Sequence, residues 1–113
     1  MDRIANYQRL IERLLKERAE IISRQPVPGV ETHCVFDDIR NHYLLLTIGW
    51  SQRRRIRGTA LYVRIQDGKI WIEEDLTEDG ITCRLLSAGV PREDIVLGFQ
   101  PPELRPLTEF AVA

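Results

Sequence analysis

Ile56-Arg-Gly-Thr-Ala-Leu-Tyr-Val-Arg-Ile-Gln-Asp67-Gly68-Lys-Ile-Trp-Ile-Glu-Glu74 decides the fold. Asp67-Gly68 lies between two runs rich in β-branched and aromatic residues, the pattern of a two-residue hairpin turn. Such a loop pairs Gln66 with Lys69, Ile65 with Ile70, Arg64 with Trp71, Val63 with Ile72 and Tyr62 with Glu73. Side chains alternate along a strand, so Leu61, Val63, Ile65, Ile70 and Ile72 share one face, a platform for a helix. The opposite face carries Ala60, Tyr62, Arg64, Trp71 and Glu73. Aromatic rings beside one guanidinium and one carboxylate make a surface that is half core and half interface. Tyr62, Arg64, Trp71 and Glu73 are therefore expected to meet another subunit. The competing expectation is that the C-terminal segment folds over them.

Upstream, Tyr43-Leu-Leu-Leu-Thr-Ile-Gly-Trp50 is apolar at both alternating sets of positions, as in a central strand covered on both sides. Val30 to Asp37 reads as a strand before it, with Asp38 to Asn41 as the turn. The segment Asp2 to Arg24 holds no Gly or Pro, and Ile4, Tyr7, Ile11, Leu14, Leu15, Ile21 and Ile22 recur largely at helical spacing. That spacing predicts one long amphipathic helix, stopped by Gln25-Pro-Val-Pro-Gly29. Downstream, Asp75-Leu-Thr-Glu78 resembles a capping box, with Thr77 a second candidate cap for a helix reaching about Ala88 and ended by Gly89. Ile95 to Phe99 suggests a buried strand or extended piece. The tail holds Pro101, Pro102 and Pro106, predicting extended chain, and its apolar end Phe110-Ala-Val-Ala113 predicts docking. The expected architecture is a single α+β domain over residues 1–113: a mainly antiparallel sheet of four to five strands with two helices on one face.

A chain of 113 residues with 43% hydrophobic and 29% charged residues supports one modest core and excludes disordered and collagen-like classes. Sixteen basic and seventeen acidic side chains give a net charge of -1, which argues against a whole-protein electrostatic grip on nucleic acid. The longest apolar stretch, Tyr43 to Leu46, is too short to cross a bilayer, and the charged N-terminal residues lack the apolar core of a secretory signal. Cys34 and Cys83 lie too far apart for a zinc or redox motif. A cytoplasmic protein with two reduced thiols is the expectation.

Local charge is uneven. Arg53, Arg54, Arg55, Arg57 and Arg64 fall within a stretch free of acids. Asp67, Glu73, Glu74, Asp75, Glu78 and Asp79 follow, opposed by Lys69 alone. Guanidinium forks match phosphate oxygens, so Arg53, Arg54, Arg55 and Arg57 are the candidate nucleic-acid contacts. The hairpin register, however, should return the acids beside the arginines and neutralise them. The acidic stretch lacks the alternating ligand pattern of a calcium loop, and most of it is expected at one helix N-terminus, so no metal site is assigned. His33 and His42 flank a turn beside Cys34, better read as strand-end histidines and a core thiol than as a nucleophile and its base. There is no glycine-rich phosphate loop and no serine elbow. No catalytic residue, metal or cofactor is assigned.

The combination of Asn41-His-Tyr-Leu-Leu-Leu, Gly68-Lys-Ile-Trp-Ile72, Asp75, Thr77-Glu78, Gly80-Ile81, Gly89-Val-Pro91, Asp94-Ile-Val-Leu97 and the ending Pro102, Arg105, Thr108, Phe110-Ala-Val-Ala113 is similar to the XisI-like proteins, over essentially the whole chain. That family is named for controlling excision of the fdxN element, a DNA segment removed by a site-specific recombinase. The resemblance implies a non-enzymatic accessory protein acting with a partner of the XisH kind, and it carries no catalytic residues over. Together with the exposed aromatic face it implies a homo-oligomer or a partner complex. The residues leave one alternative, a direct DNA-binding module using Arg53, Arg54, Arg55 and Arg57; a third reading is an inhibitory or immunity-type partner of a nuclease-fold protein.

Overall fold

The computed structural model describes residues 2–78 and 80–113, so Asp79 of the acidic stretch lies outside the described residues. Helix α1 (Arg3–Ser23) is capped by Asp2, whose Oδ1 accepts the Ile4 amide at 3.0 Å. It buries Tyr7, Ile11, Leu14 and Leu15 against the sheet, each burial favouring the fold by about 2 kcal/mol before entropy is counted. Ile21 and Ile22, the last members of its apolar stripe, stay partly exposed.

Strands β1 (Val30–Asp37), β2 (His42–Ser51), β3 (Arg54–Gln66) and β4 (Lys69–Asp75) follow one another in space as in sequence, each antiparallel to the last. Helix α2 (Ile81–Ser87) then carries the chain to β5 (Ile95–Leu97), which lies parallel to β4. The result is the expected α+β architecture, with Tyr43, Leu45, Leu61, Val63, Ile65, Ile70 and Ile72 buried in one core with α1 and α2.

The Asp67-Gly68 turn has φ 54° and 75°, and it sets the pairs Gln66–Lys69, Ile65–Ile70, Arg64–Trp71 and Val63–Ile72 as expected. Beyond Val63 the register changes. Tyr62 pairs with Glu74, not Glu73, because Glu73 is the extra residue of a β-bulge. A second irregularity lies on β3, where Leu45 faces Leu61 but Leu46 faces Thr59, leaving Ala60 as the extra residue.

Two local expectations are corrected. Helix α2 starts at Ile81, later than the Asp75–Glu78 box suggests. Asp75 still serves it: its Oδ2 accepts the Ile81 amide at 2.6 Å, while Oδ1 accepts the Thr77 amide at 2.9 Å. At the other end Gly89, φ 96°, closes α2, with the Val90 amide donating to the Leu85 carbonyl at 3.1 Å. The tail, expected to be extended, forms a 3-10 helix over Pro102–Leu107; Pro102 is tolerated because the first turn needs no amide donor, while Pro106 sits inside the helix. Its apolar end docks as expected, through an Ala111–Val96 bridge and Phe110 against the core.

The β2–β3 hairpin projects. β1 pairs with β2 as far as Gly49, and β4 leaves β3 at Leu61. The radius of gyration, 14.8 Å, exceeds the roughly 13 Å of a compact chain this long. The surface of 7267 Å² likewise exceeds the roughly 6,400 Å² of its size class.

Candidate functional site

The four residues expected at an interface are divided by the structure. Arg64 on β3 and Trp71 on β4 are cross-strand partners, with the guanidinium carbon 5.1 Å from the indole ring centre. Arg64 Nε donates to Glu73 Oε2 at 2.5 Å, and its terminal nitrogen also donates to Gln66 Oε1. Arg105, from the C-terminal 3-10 helix, lies against the indole at 5.2 Å. Trp71 thus contacts two guanidinium groups, a cation–π arrangement, and its Nε1 donates to the Gln66 carbonyl at 3.2 Å. Arg105 is itself held by the carbonyls of Gln100, at 3.1 Å, and Gly98, at 3.5 Å. Gly98 fits because it has no side chain: a Cβ there would stand 2.6 Å from Glu73 Oε1. Trp71 is consequently only 8% exposed. The C-terminal segment, one of the two expected coverings, occupies this half of the face.

The other half is bare. Tyr62 marks the border, its hydroxyl 2.7 Å from His42 Nδ1. Alternation along β1 and β2 places Val35, Leu44, Leu46, Ile48 and Trp50 on the face away from Tyr43 and Leu45, which α1 covers. Val35 remains 43% exposed and Trp50 57%, while Leu44, Leu46 and Ile48 are half-buried by their strand neighbours. The expectation that β2 is covered on both sides therefore holds on one side only, among the described residues. These side chains form an apolar stripe along β2, flanked on the same face by Glu31 and His33 of β1 and by Arg55 and Arg57 of β3, an amphipathic surface of the kind that meets a partner.

The arginine run lies on the projecting hairpin. Gln52 and Arg53 form its two-residue turn with φ 50° and 64°, while Arg54, Arg55 and Arg57 belong to β3 itself. Arg55 stacks on Trp50 at 5.3 Å and donates to the Gly49 carbonyl at 3.4 Å. The expected neutralisation by the acidic stretch does not occur among the described residues. β3 runs 13 residues and β4 only 7, so Glu73, Glu74 and Asp75 end opposite Leu61 and Tyr62, short of the arginines. These acids are also on the strand rather than at a helix N-terminus, which corrects the reading of the cluster. Glu73 is taken by Arg64, and Asp75 by the start of α2.

The remaining candidates for chemistry are accounted for by packing. Cys34 lies on the α1 side of β1, its Sγ 3.8 Å from the Leu15 carbonyl, and burial pushes its thiol pKa up, away from reactivity. His42 points to the other face with Tyr62, so thiol and imidazole are separated by the sheet. His33 is exposed beside Glu31 at 3.2 Å. No group of metal-ligating side chains converges among the described residues, and no described helix is long and apolar enough to cross a membrane.

Sequence reasoning missed a polar cluster that ties α1 to the sheet. Tyr7 donates to Asp94 Oδ2 at 2.5 Å, and Tyr43 to Asp38 Oδ1 at 2.7 Å. Burial, reinforced by the bond to Asp94, pushes the Tyr7 hydroxyl up to about 12. Tyr43 is raised for the same reasons, and burial and Asp38 also raise Glu12. Tyr7 and Asp94 lie 87 residues apart, so no local pattern announces that pair, whereas Tyr43 and Asp38 are only five apart across the β1–β2 turn.

Fold and surface together define a small α+β domain whose notable features are a half-open sheet face and a basic projecting hairpin. The chain belongs to the XisI family: the family model described as XisI protein matches residues 1–112. Among solved structures it is similar to a XisI-like protein from Anabaena variabilis ATCC 29413, at 38% identity and a TM-score of 0.90, covering 97% of this chain and 99% of that one. It is also similar to the fdxN element excision controlling factor XisI from the same organism, at 40% identity and a TM-score of 0.87, covering 99% and 100% of the two chains. No curated protein matches the chain.

Proposed function

We propose that this chain is a non-enzymatic accessory factor controlling site-specific DNA excision, and that it acts by binding an XisH-like protein. Its relative's description as an excision controlling factor supplies the context. The observation that carries the mechanism is the bare sheet face of Val35, Leu44, Leu46, Ile48, Trp50 and Tyr62. Apolar and aromatic side chains of this kind gain by excluding water against another protein, and phosphate offers them nothing. Arg64, Trp71 and Glu73 lie beside this face under the C-terminal segment and would shape its border rather than its centre. Without the partner, the same face favours a homo-oligomer.

Light scattering on the chain alone and co-expressed with an XisH-like protein tests this reading. A defined hetero-complex, lost on Leu46→Asp while the variant alone keeps its fold by circular dichroism, is the expected result. A homo-oligomer that ignores the partner would overturn it.

A further inference from the structure

We infer that the free edge of β3, residues 54–59, accepts an extended acidic segment of a partner protein as an added β-strand. This deepens the reading that the chain works by binding a protein, naming the element used and the chemistry of the segment it takes.

Three observations carry it. The first is the edge itself. β4 stops pairing at Leu61, and the Leu76 amide bonds the Ala60 carbonyl at 2.8 Å, so strand pairing ends there while β3 continues to Arg54. Backbone groups alternate in direction along a strand, so this stretch presents both amide donors and carbonyl acceptors to its open side. A Cβ added at Gly58 would meet nothing within 4 Å, so the sheet face beside this edge is open as well. Where β4 peels away, Ile56, Arg57, Gly58, Thr59, Glu74 and Leu76 line a notch, with Leu76 72% exposed and Glu74 the one acid at its β4 end, away from Arg54 and Arg55.

The second is charge. Among the described residues no carboxylate reaches ion-pair distance of Arg53, Arg54, Arg55 or Arg57, whereas most other arginines of the chain have one. An incoming acid therefore displaces no carboxylate, and at Arg55 it competes only with the Trp50 ring and the long bond to the Gly49 carbonyl. Arg55 and Arg57 share one face of β3, and Arg54 and Ile56 share the other. The matching strand carries acids at alternate positions opposite Arg55 and Arg57, with an apolar residue between them facing Ile56.

The third is the exclusion of other occupants. A second copy pairing edge to edge would gather the arginines of both chains along one short ladder with no acid between them; most offset registers set arginine directly against arginine, and the fully overlapped one, 54 opposite 59, escapes only that direct pairing. Duplex DNA would use the guanidinium groups but leave the edge carbonyls without donors, and a flat strand divides these arginines between two faces. A β-strand of opposite charge satisfies both the backbone and the side chains.

The test is an NMR titration of the full chain with the peptide Thr-Glu-Val-Glu-Val-Thr, its ends blocked. Amide shifts confined to residues 54–59 and Leu76 are expected. N-methylation of alternate peptide nitrogens should weaken binding by about tenfold or more, because it removes strand donors. Arg55→Glu with Arg57→Glu should abolish binding of the acidic peptide and confer binding of Thr-Lys-Val-Lys-Val-Thr, which keeps the test informative if the acidic peptide alone fails. No shifts at millimolar peptide, indifference to N-methylation, or tighter binding of a duplex oligonucleotide by the same residues would overturn the inference. Peptide binding without an XisH-like complex in light scattering would sink the accessory-factor reading and leave the edge intact; the converse would sink only the edge.

Discussion

Replacing Arg105 with alanine should lift the C-terminal segment off Trp71. Arg105 contributes one guanidinium–indole contact at 5.2 Å, worth about 1 kcal/mol when partly shielded from water. It also bonds the Gln100 and Gly98 carbonyls; the second, at 3.5 Å, is weak, so the two together add about 1 kcal/mol. The sum, about 2 kcal/mol, shifts the docked-to-undocked ratio by roughly thirtyfold. If docking is part of the cooperative fold, the midpoint of thermal unfolding should fall by about 10 °C. The chain has two tryptophans, so a Trp50→Phe background leaves Trp71 as the sole reporter. In that background Arg105→Ala should red-shift the emission and raise acrylamide quenching, and Arg105→Lys should restore only part of the loss because an ammonium lacks the planar fork. Unchanged quenching with a stability change below about 0.5 kcal/mol would refute the reasoning and mean that other contacts keep the segment in place.

Further predictions rest on particular atoms. Tyr7, at about 12 in the fold against 10.0 when free, keeps its proton longer folded than unfolded. Its stabilising contribution is therefore complete below pH 10 and is lost as the pH rises toward 12, so alkaline unfolding followed by circular dichroism should occur later for Tyr7→Phe than for the native chain, when each is scaled to its own neutral stability. Gly49→Ala places a Cβ 2.0 Å from the Gly29 carbonyl oxygen, so urea unfolding should show a loss of at least about 3 kcal/mol. Arg53→Gly, at φ 64° in the hairpin turn, should raise stability by about 1 kcal/mol in the same assay, since glycine adopts that conformation freely.

Much of this architecture is readable from residue order because its signals are local. The Asp67-Gly68 turn, the unbroken stripe of α1 and the Gly89 stop each follow from backbone preferences of a few neighbouring residues. The register beyond Val63 is not readable, because a bulge inserts Glu73 without any residue type that demands it. The same bulge, with the early departure of β4, removed the expected neutralisation of Arg53 to Arg57: strand lengths are set by where β4 turns toward α2, not by the composition of β3. The aromatic residues around Trp71 call for a cover, and in the structure the C-terminal segment lies on them. Which cover it takes depends on Arg105, more than thirty residues away, which sequence spacing alone does not bring near.

Excision of a reporter DNA element, in cells supplied with the recombinase and an XisH-like protein, tests the proposed role most directly. The account predicts excision with this chain present, none without it, and loss of excision with Leu46→Asp at unchanged protein level. Equal excision with and without the chain would contradict it.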